Sequence, residues 1–410
     1  MGRVRALAGF GAQVYGARAR FAWHGHVRRD PVALLQLGPG RSDPYPVYAR
    51  IRATGPLVPT PLGNRASASH EVCAAVLRDR RFGVSDPDAP PGPGGLSFLE
   101  MDPPDHGRLR RLAAPAFTTA RVASYRPLVE DTVHQLLDAA ARQGSFDLVR
   151  TLAKPLPVAV ITRLLGIPEE ERGPLVRHGE VIAGGLDGVR SLRHARQLMS
   201  SSRELEEMLG RVFAARRAAP GEEVITALLA AEEAQVTPAE LVPMCTLLLV
   251  AGFETTVNLV GNGVHALLGQ PDQWALLRAD PGRAAAVVEE TLRYDSPVQR
   301  TVRLAHEDVE VAGTTIRRRQ AVLTLLGGAN RDPRVFADPD AFDLTRANPT
   351  DHLAFSAGPH YCLGAALARL EAAVAFAALA ERFPALRPAG RRTRRPGRTL
   401  RGFATLPLSR

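Results

Sequence analysis

The chain of 410 residues predicts a mainly helical fold with a small β region. Beyond about residue 95 its patterns are helical, and one run, Leu241 to Leu268, is apolar nearly all round, as in a helix buried in the middle of a large fold. Strand-like runs are short and confined to the stretch before Phe82 and to Val309 to Val311 and Thr314 to Leu326, around a Gly313 turn. With 45% hydrophobic and 23% charged residues, the chain can bury a large core.

The first 29 residues carry Arg3, Arg5, Arg18, Arg20, Arg28 and Arg29 among small apolar and aromatic residues. Such a segment can form a basic helix on a membrane surface; the preferred reading is a frayed, solvated extension. Residues 1–42 are therefore set apart as a basic extension free to move, and 43–410 as one domain. Asp43-Pro44-Tyr45-Pro46-Val47-Tyr48 opens a stretch of strand-like runs and proline or glycine turns up to about Phe82, which predicts a small sheet. From Ser85 to Gly95, Pro87, Pro90, Pro91 and Pro93 predict a loop.

Thr237-Pro238-Ala239-Glu240 predicts a helix start: Thr237 caps, Pro238 suits the first helical position and Glu240 completes a capping box. Gly269-Gln270-Pro271 ends that helix. A second start at Asp280-Pro281 leads into Ala284 to Tyr294, stopped by Ser296-Pro297, and a third helix of good formers runs from Ala365 to Arg382. There is no internal repeat and no linker long enough to divide the chain.

Composition narrows the function. The longest apolar candidate, Leu241 to Phe253, is interrupted by Pro243, Cys245 and Thr246, so no transmembrane segment is expected. Cys73, Cys245 and Cys362 are too few and scattered for a disulfide framework or a zinc site, and a cytoplasmic location is expected. The net charge of +10 comes with a single lysine, Lys154, and arginines spread through every segment. The densest run, Arg387 to Arg401, mixes prolines and glycines with no aromatic until Phe403, unlike a stacking platform, so no nucleic-acid partner is expected.

Four clusters carry chemistry. Cys362 lies in Phe355-Ser356-Ala357-Gly358-Pro359-His360-Tyr361-Cys362-Leu363-Gly364, at the N-terminal end of the third helix, where free N–H groups and the dipole favour a thiolate. Gly358 and Gly364 permit a tight loop that a flat macrocycle can approach. A cysteine alone would read as buried and structural. This run, however, resembles the haem-binding loop of the cytochrome P-450 family, haem-thiolate monooxygenases whose proximal iron ligand is a cysteine. Phe355, Gly358, His360, Cys362 and Gly364 match it; Ser356 departs from it, standing where many bacterial members have a second glycine.

In the apolar helix stands Ala251-Gly252-Phe253-Glu254-Thr255-Thr256, and buried polarity requires a reason. The bland reading has Thr255 bonding back to a carbonyl one turn earlier and Glu254 reaching the surface. The resemblance instead places this motif over the distal face of the haem, with Ala251 against the cofactor, Gly252 opening a groove for dioxygen, Thr255 hydrogen-bonding it and Glu254 relaying protons from solvent. Glu290 and Arg293, three apart, share a helix face and can pair. By resemblance they form the family's buried Glu-x-x-Arg ion pair, with Arg346 as third partner.

In Met101-Asp102-Pro103-Pro104-Asp105-His106-Gly107-Arg108-Leu109-Arg110-Arg111-Leu112, His106 and Arg110 are one turn apart, and arginine forks suit carboxylates. The resemblance gives the haem propionates to His106, Arg110, Arg303 and His360. It leaves Arg108 and Arg111 available to an acidic electron donor. Ferredoxin with its reductase is the expected donor, since the chain has no flavin, nicotinamide or iron–sulfur fingerprint.

The resemblance covers roughly Asp43 to Leu408. It implies the cytochrome P-450 fold, a triangular helical prism with a buried distal helix and a cysteine haem loop. It implies haem b, and the insertion of one oxygen atom from O2 into a small, mostly apolar organic substrate by hydroxylation or epoxidation. Oxidative coupling, desaturation or rearrangement would use the same residues. A non-catalytic haem protein would not need the Glu254-Thr255 pair. The family's pocket regions map to Leu96 to Phe98, Val181 to Leu186, Leu247 to Val250, Val298 to Val302 and Ala404 to Thr405, mostly small or aliphatic.

Overall fold

The computed structural model describes residues 15–88, 95–232 and 235–410. Arg3, Arg5, Pro90, Pro91 and Pro93 lie outside the described residues.

The central helix runs Pro238–Leu268, and its capping box is formed: the Glu240 carboxylate accepts the Thr237 N–H at 2.8 Å. By length and composition it could cross a membrane, yet 83% of its most apolar window is buried inside the protein. It is the axis of the core. Helices Pro155–Leu165, Arg172–Gly184, Ala284–Tyr294 and Ala365–Arg382 pack around it, the last two as the sequence predicts. Gly263 sets one of these crossings. A Cβ there would lie 2.3 Å from the Phe376 ring and 2.8 Å from Thr291 Oγ1, so only glycine lets the three helices meet.

A five-stranded sheet lies to one side, in the order Val58–Pro59, Arg65–Ser67, Ala321–Thr324, Thr301–Ala305, Phe82–Gly83. Arg65–Ser67 pairs parallel to Ala321–Thr324 with Ala66 opposite Leu323, and the other neighbours are antiparallel. Val309–Val311 and Thr314–Ile316 form the hairpin around Gly313. A three-stranded sheet joins Ser145–Asp147, Pro407–Ser409 and Arg387–Pro388.

The stretch expected to be strands from Asp43 to Phe82 also holds two helices, Tyr45–Thr54 and His70–Arg78. The first starts with Pro46, whose fixed φ suits an N-terminal turn, and buries Tyr48 and Ile51 at i, i+3. The second is capped by Ser69, which accepts the Val72 N–H, and buries Val72, Cys73, Val76 and Leu77. The extension is ordered where it is described. Residues 15–26 are helical, and Val32 and Leu35 pack with Tyr48 and Ile51.

Candidate active site

The cysteine loop is fixed by its glycine. Gly358 has φ +67°, and a Cβ there would lie 2.3 Å from the Leu77 carbonyl oxygen, so the loop rests directly on the helix His70–Arg78. Ser356 takes φ +63°, the left-handed conformation in which glycine is the unstrained residue. The Cys362 N–H donates to Phe355 O at 2.9 Å, and the helix begins at Ala365 after Gly364. Arg369, one turn into that helix, lies 4.6 Å over the Phe355 ring and forks onto Glu289 at 2.7 and 3.0 Å. Cys362 is exposed, though neighbouring protein surrounds much of its sulfur. Burial pushes the thiol up, against the Gly364 N–H and the charges of Arg110 and Arg369. Metal coordination would deprotonate the sulfur outright, the same direction in which the helix end acts.

Beside the loop lies a cationic cluster. The His106 and His360 rings are 4.3 Å apart. His106 is buried and its Nε2 has no hydrogen-bond partner among the described residues. Burial, then His360 and Arg110, pull its imidazole down to about 4. Arg303, also buried, donates only to neutral acceptors, Thr301 Oγ1 at 3.1 Å, Val302 O at 2.9 Å and Ser356 Oγ at 3.4 Å, and burial brings its guanidinium down to about 10. Arg110 donates to Tyr361 O. Among the described residues the carboxylate here is Asp102, 3.7 Å from His360 and held by the Val84 and Ser85 N–H groups. An orphaned imidazole nitrogen and a buried arginine without a carboxylate are what two propionates would complete, so the residues fit a haem.

The central helix is buried around Phe253, yet Ala251 is exposed and Thr255 half-buried. Gly252 faces Ile161, whose Cγ1 would be 3.0 Å from an added Cβ. Thr255 Oγ1 donates to Ala251 O at 3.0 Å, which is the back-bond of the bland reading. Glu254 does not reach the surface: it is 1% exposed, paired through Oε2 with Arg395, while Oε1 is buried without a partner among the described residues. Burial pushes its carboxyl up, against the pull of Arg395. Arg395 also lies 3.5 Å from Glu180, and Glu180 lies 2.6 Å from Lys154. The sequence reading missed Arg395. The available signal was a buried carboxylate that needed a cation, with an arginine-dense run at 387–401.

Glu290, Arg293 and Arg346 come together. Arg293, fully buried, grips Glu290 at 2.7 and 2.8 Å and also donates to the carbonyls of Asn330, Pro339 and Ala341. Arg346 Nε reaches Glu290 Oε2 at 3.1 Å. The expectation for Arg108 needs correction. It is tied to Asp105 at 2.9 Å and to Glu240 at 2.5 Å, because the capping carboxylate of the central helix ends beside it; Arg111 remains exposed.

A polar notch on a buried helix, an exposed cysteine on a glycine-shaped loop and a carboxylate-poor cationic cluster together fit a haem. The family model for Cytochrome P450 matches residues 284–409. The chain is 40% identical over 391 residues to "Putative cytochrome P450 140" of Mycobacterium tuberculosis, covering 90% of this chain and 89% of that one. It is 40% identical over 386 residues to "Cytochrome P450 monooxygenase PikC" of Streptomyces venezuelae, covering 90% and 91%. The crystal structure of ligand-free Mycobacterium smegmatis CYP164A2 superposes with TM-score 0.86 at 41% identity, covering 93% of this chain and 99% of that one. The chain belongs to the cytochrome P450 family. It is a monooxygenase, an oxidoreductase of a family that binds haem b and uses O2, a redox partner and a small organic substrate.

Proposed function

We propose that the enzyme hydroxylates or epoxidises a small, mostly apolar substrate, with Cys362 as the iron ligand. The observation that carries this reading is the accessible Cys362 beside a buried His106 and Arg303 that lack carboxylate partners. Haem b held there would supply the redox chemistry that splits dioxygen and transfers one oxygen atom to the substrate, with two electrons and two protons yielding one water. His106, Arg110, Arg303 and His360 bind its propionates. Phe355, Gly358 and Gly364 shape the cysteine loop that would hold it, Ala251 and Gly252 of the central helix would lie against it, and the Glu290–Arg293–Arg346 cluster braces the segment leading into the loop.

Thr255 gives up its bond to Ala251 O to donate to dioxygen, and Glu254 holds a proton at Oε1 and passes it inward. Support comes from burial, which favours the protonated acid, and from the Arg395 and Glu180 chain that runs from Glu254 towards half-exposed Lys154. The Leu247–Val250 turn of the central helix and the buried Leu96 and Phe98 favour an apolar substrate. Electrons are read as coming from ferredoxin and its reductase, with Arg111 rather than Arg108 offered to the acidic donor. Residues 43–410 are read as one domain, supported by a core cluster whose members run from Leu96 to Leu408 and by the pairing of Arg65–Ser67 with Ala321–Thr324, and the location as cytoplasmic.

The test has two arms. The reduced protein with carbon monoxide should show the absorption band of thiolate-ligated haem, and Cys362→Ser should abolish it. Substrate-dependent oxygen consumption with a surrogate ferredoxin should yield a product that gains one oxygen atom. A product that instead loses two hydrogens would point to desaturation or coupling, and no turnover to a non-catalytic haem protein.

A further inference from the structure

The helix over residues 15–26 has two unlike faces. Its inner face docks through Gly25, where a Cβ would lie 2.6 Å from Leu37 Cδ1. Its outer face carries Tyr15, Ala19 and Trp23 at i, i+4 and i+8, with His26 on the same side, all exposed. Arg18 and Arg20 flank that stripe, and Arg28, whose guanidinium sits 4.6 Å over the Trp23 ring, and Arg29 follow it. Of the eight large hydrophobic side chains exposed among the described residues, three lie here: Tyr15 at 49%, Trp23 at 48% and Val27 at 66%. Arg18 also donates to Arg190 O at 3.1 Å, which brings exposed Arg190 and Arg193 alongside. The first acidic residue of the chain is Asp30.

We propose that this face docks on an anionic lipid bilayer, lying in the interface rather than crossing it. Tyrosine and tryptophan are the side chains that settle at the headgroup level, and arginines on both flanks reach phosphates while their stems stay apolar. A second copy of the chain is a poor occupant, because two such faces would set like charges against each other. An acidic protein is less suited, because the stripe is convex and offers no groove for an anchor.

The test uses the full-length holoprotein and vesicles of phosphatidylcholine, alone or mixed in equal parts with phosphatidylglycerol. It should co-sediment with the phosphatidylglycerol vesicles and be released as salt is raised. Tryptophan emission should shift to the blue; the chain has two tryptophans and Trp274 is buried, so the shift reports Trp23. Arg20→Glu with Arg28→Glu should weaken partitioning by at least about tenfold, since each basic residue contributes roughly fivefold. Trp23→Ser should weaken it without changing the carbon monoxide spectrum, which shows that the fold is intact. Equal binding to neutral and anionic vesicles, no binding to either, or retention on polyglutamate with vesicles left unbound would overturn the proposal.

Discussion

Ser356 pays for its place in the cysteine loop with a left-handed backbone, φ +63°. A non-glycine residue there costs about 1–2 kcal/mol, and glycine gives back about 0.5–1 kcal/mol through the freedom of the unfolded chain. Ser356→Gly should therefore stabilise the protein by about 0.5–1 kcal/mol in urea titration, with haem content unchanged. Arg395 acts through Glu254. Arg395→Gln leaves a buried carboxyl with no cation, and should lower kcat by on the order of tenfold and shift its pH profile, whereas Arg395→Lys should recover most of it. Identical profiles for the glutamine variant and the parent would remove Arg395 from the proton path. The sequence offered only a hint of that contact, a buried carboxylate and an arginine-rich run, since its partners are 141 residues apart and the run holds several arginines.

Helices and loops carry the next scale. The helix Ala365–Arg382 was readable to its ends, because good helix formers fill it and Phe383-Pro384 stops it. Tyr45–Thr54 was not, because prolines at 44 and 46 look alike in a turn and in a first helical turn, and only the packing of Tyr48 and Ile51 decides between them. Glu290 joins two elements, the helix Ala284–Tyr294 and the segment ending at Arg346. Glu290→Ala should cost about 3–5 kcal/mol, because it leaves buried Arg293 uncompensated. Loss of haem and of cooperative unfolding together is the expected result, and a stable holoprotein would contradict it. Arg108 beside Glu240 holds that carboxyl down to about 2 from its ordinary 4.5. The pair's contribution is complete above that ordinary value and is lost as pH falls towards the depressed one. Arg108→Gln should accordingly narrow the stability difference between about pH 5 and about pH 3.

Across the whole molecule, Asp295 gathers distant parts of the chain. Its carboxylate accepts from Tyr45 at 2.7 Å, Arg401 at 2.7 Å and Arg394 at 2.9 Å, while Asn262 Nδ2 donates to its carbonyl at 2.9 Å. Burial pushes that carboxyl up, but Arg394 and Arg401 outweigh it and hold it well below the usual carboxylate range. Asp295→Asn leaves two largely buried arginines sharing no anion, and should destabilise by about 3–5 kcal/mol in urea, most strongly near neutral pH.

The parallel pairing of Arg65–Ser67 with Ala321–Thr324 also fixes an order of events during synthesis. Strands near the start of the chain cannot be completed until residue 324 has left the ribosome. Phe355 to Gly364 emerge later still and must settle on the Leu77 carbonyl through Gly358. A nascent chain halted near residue 300 would thus leave one edge of Arg65–Ser67 and the strand Phe82–Gly83 unpaired, exposed to proteases and to other chains, and would be unable to retain the cofactor.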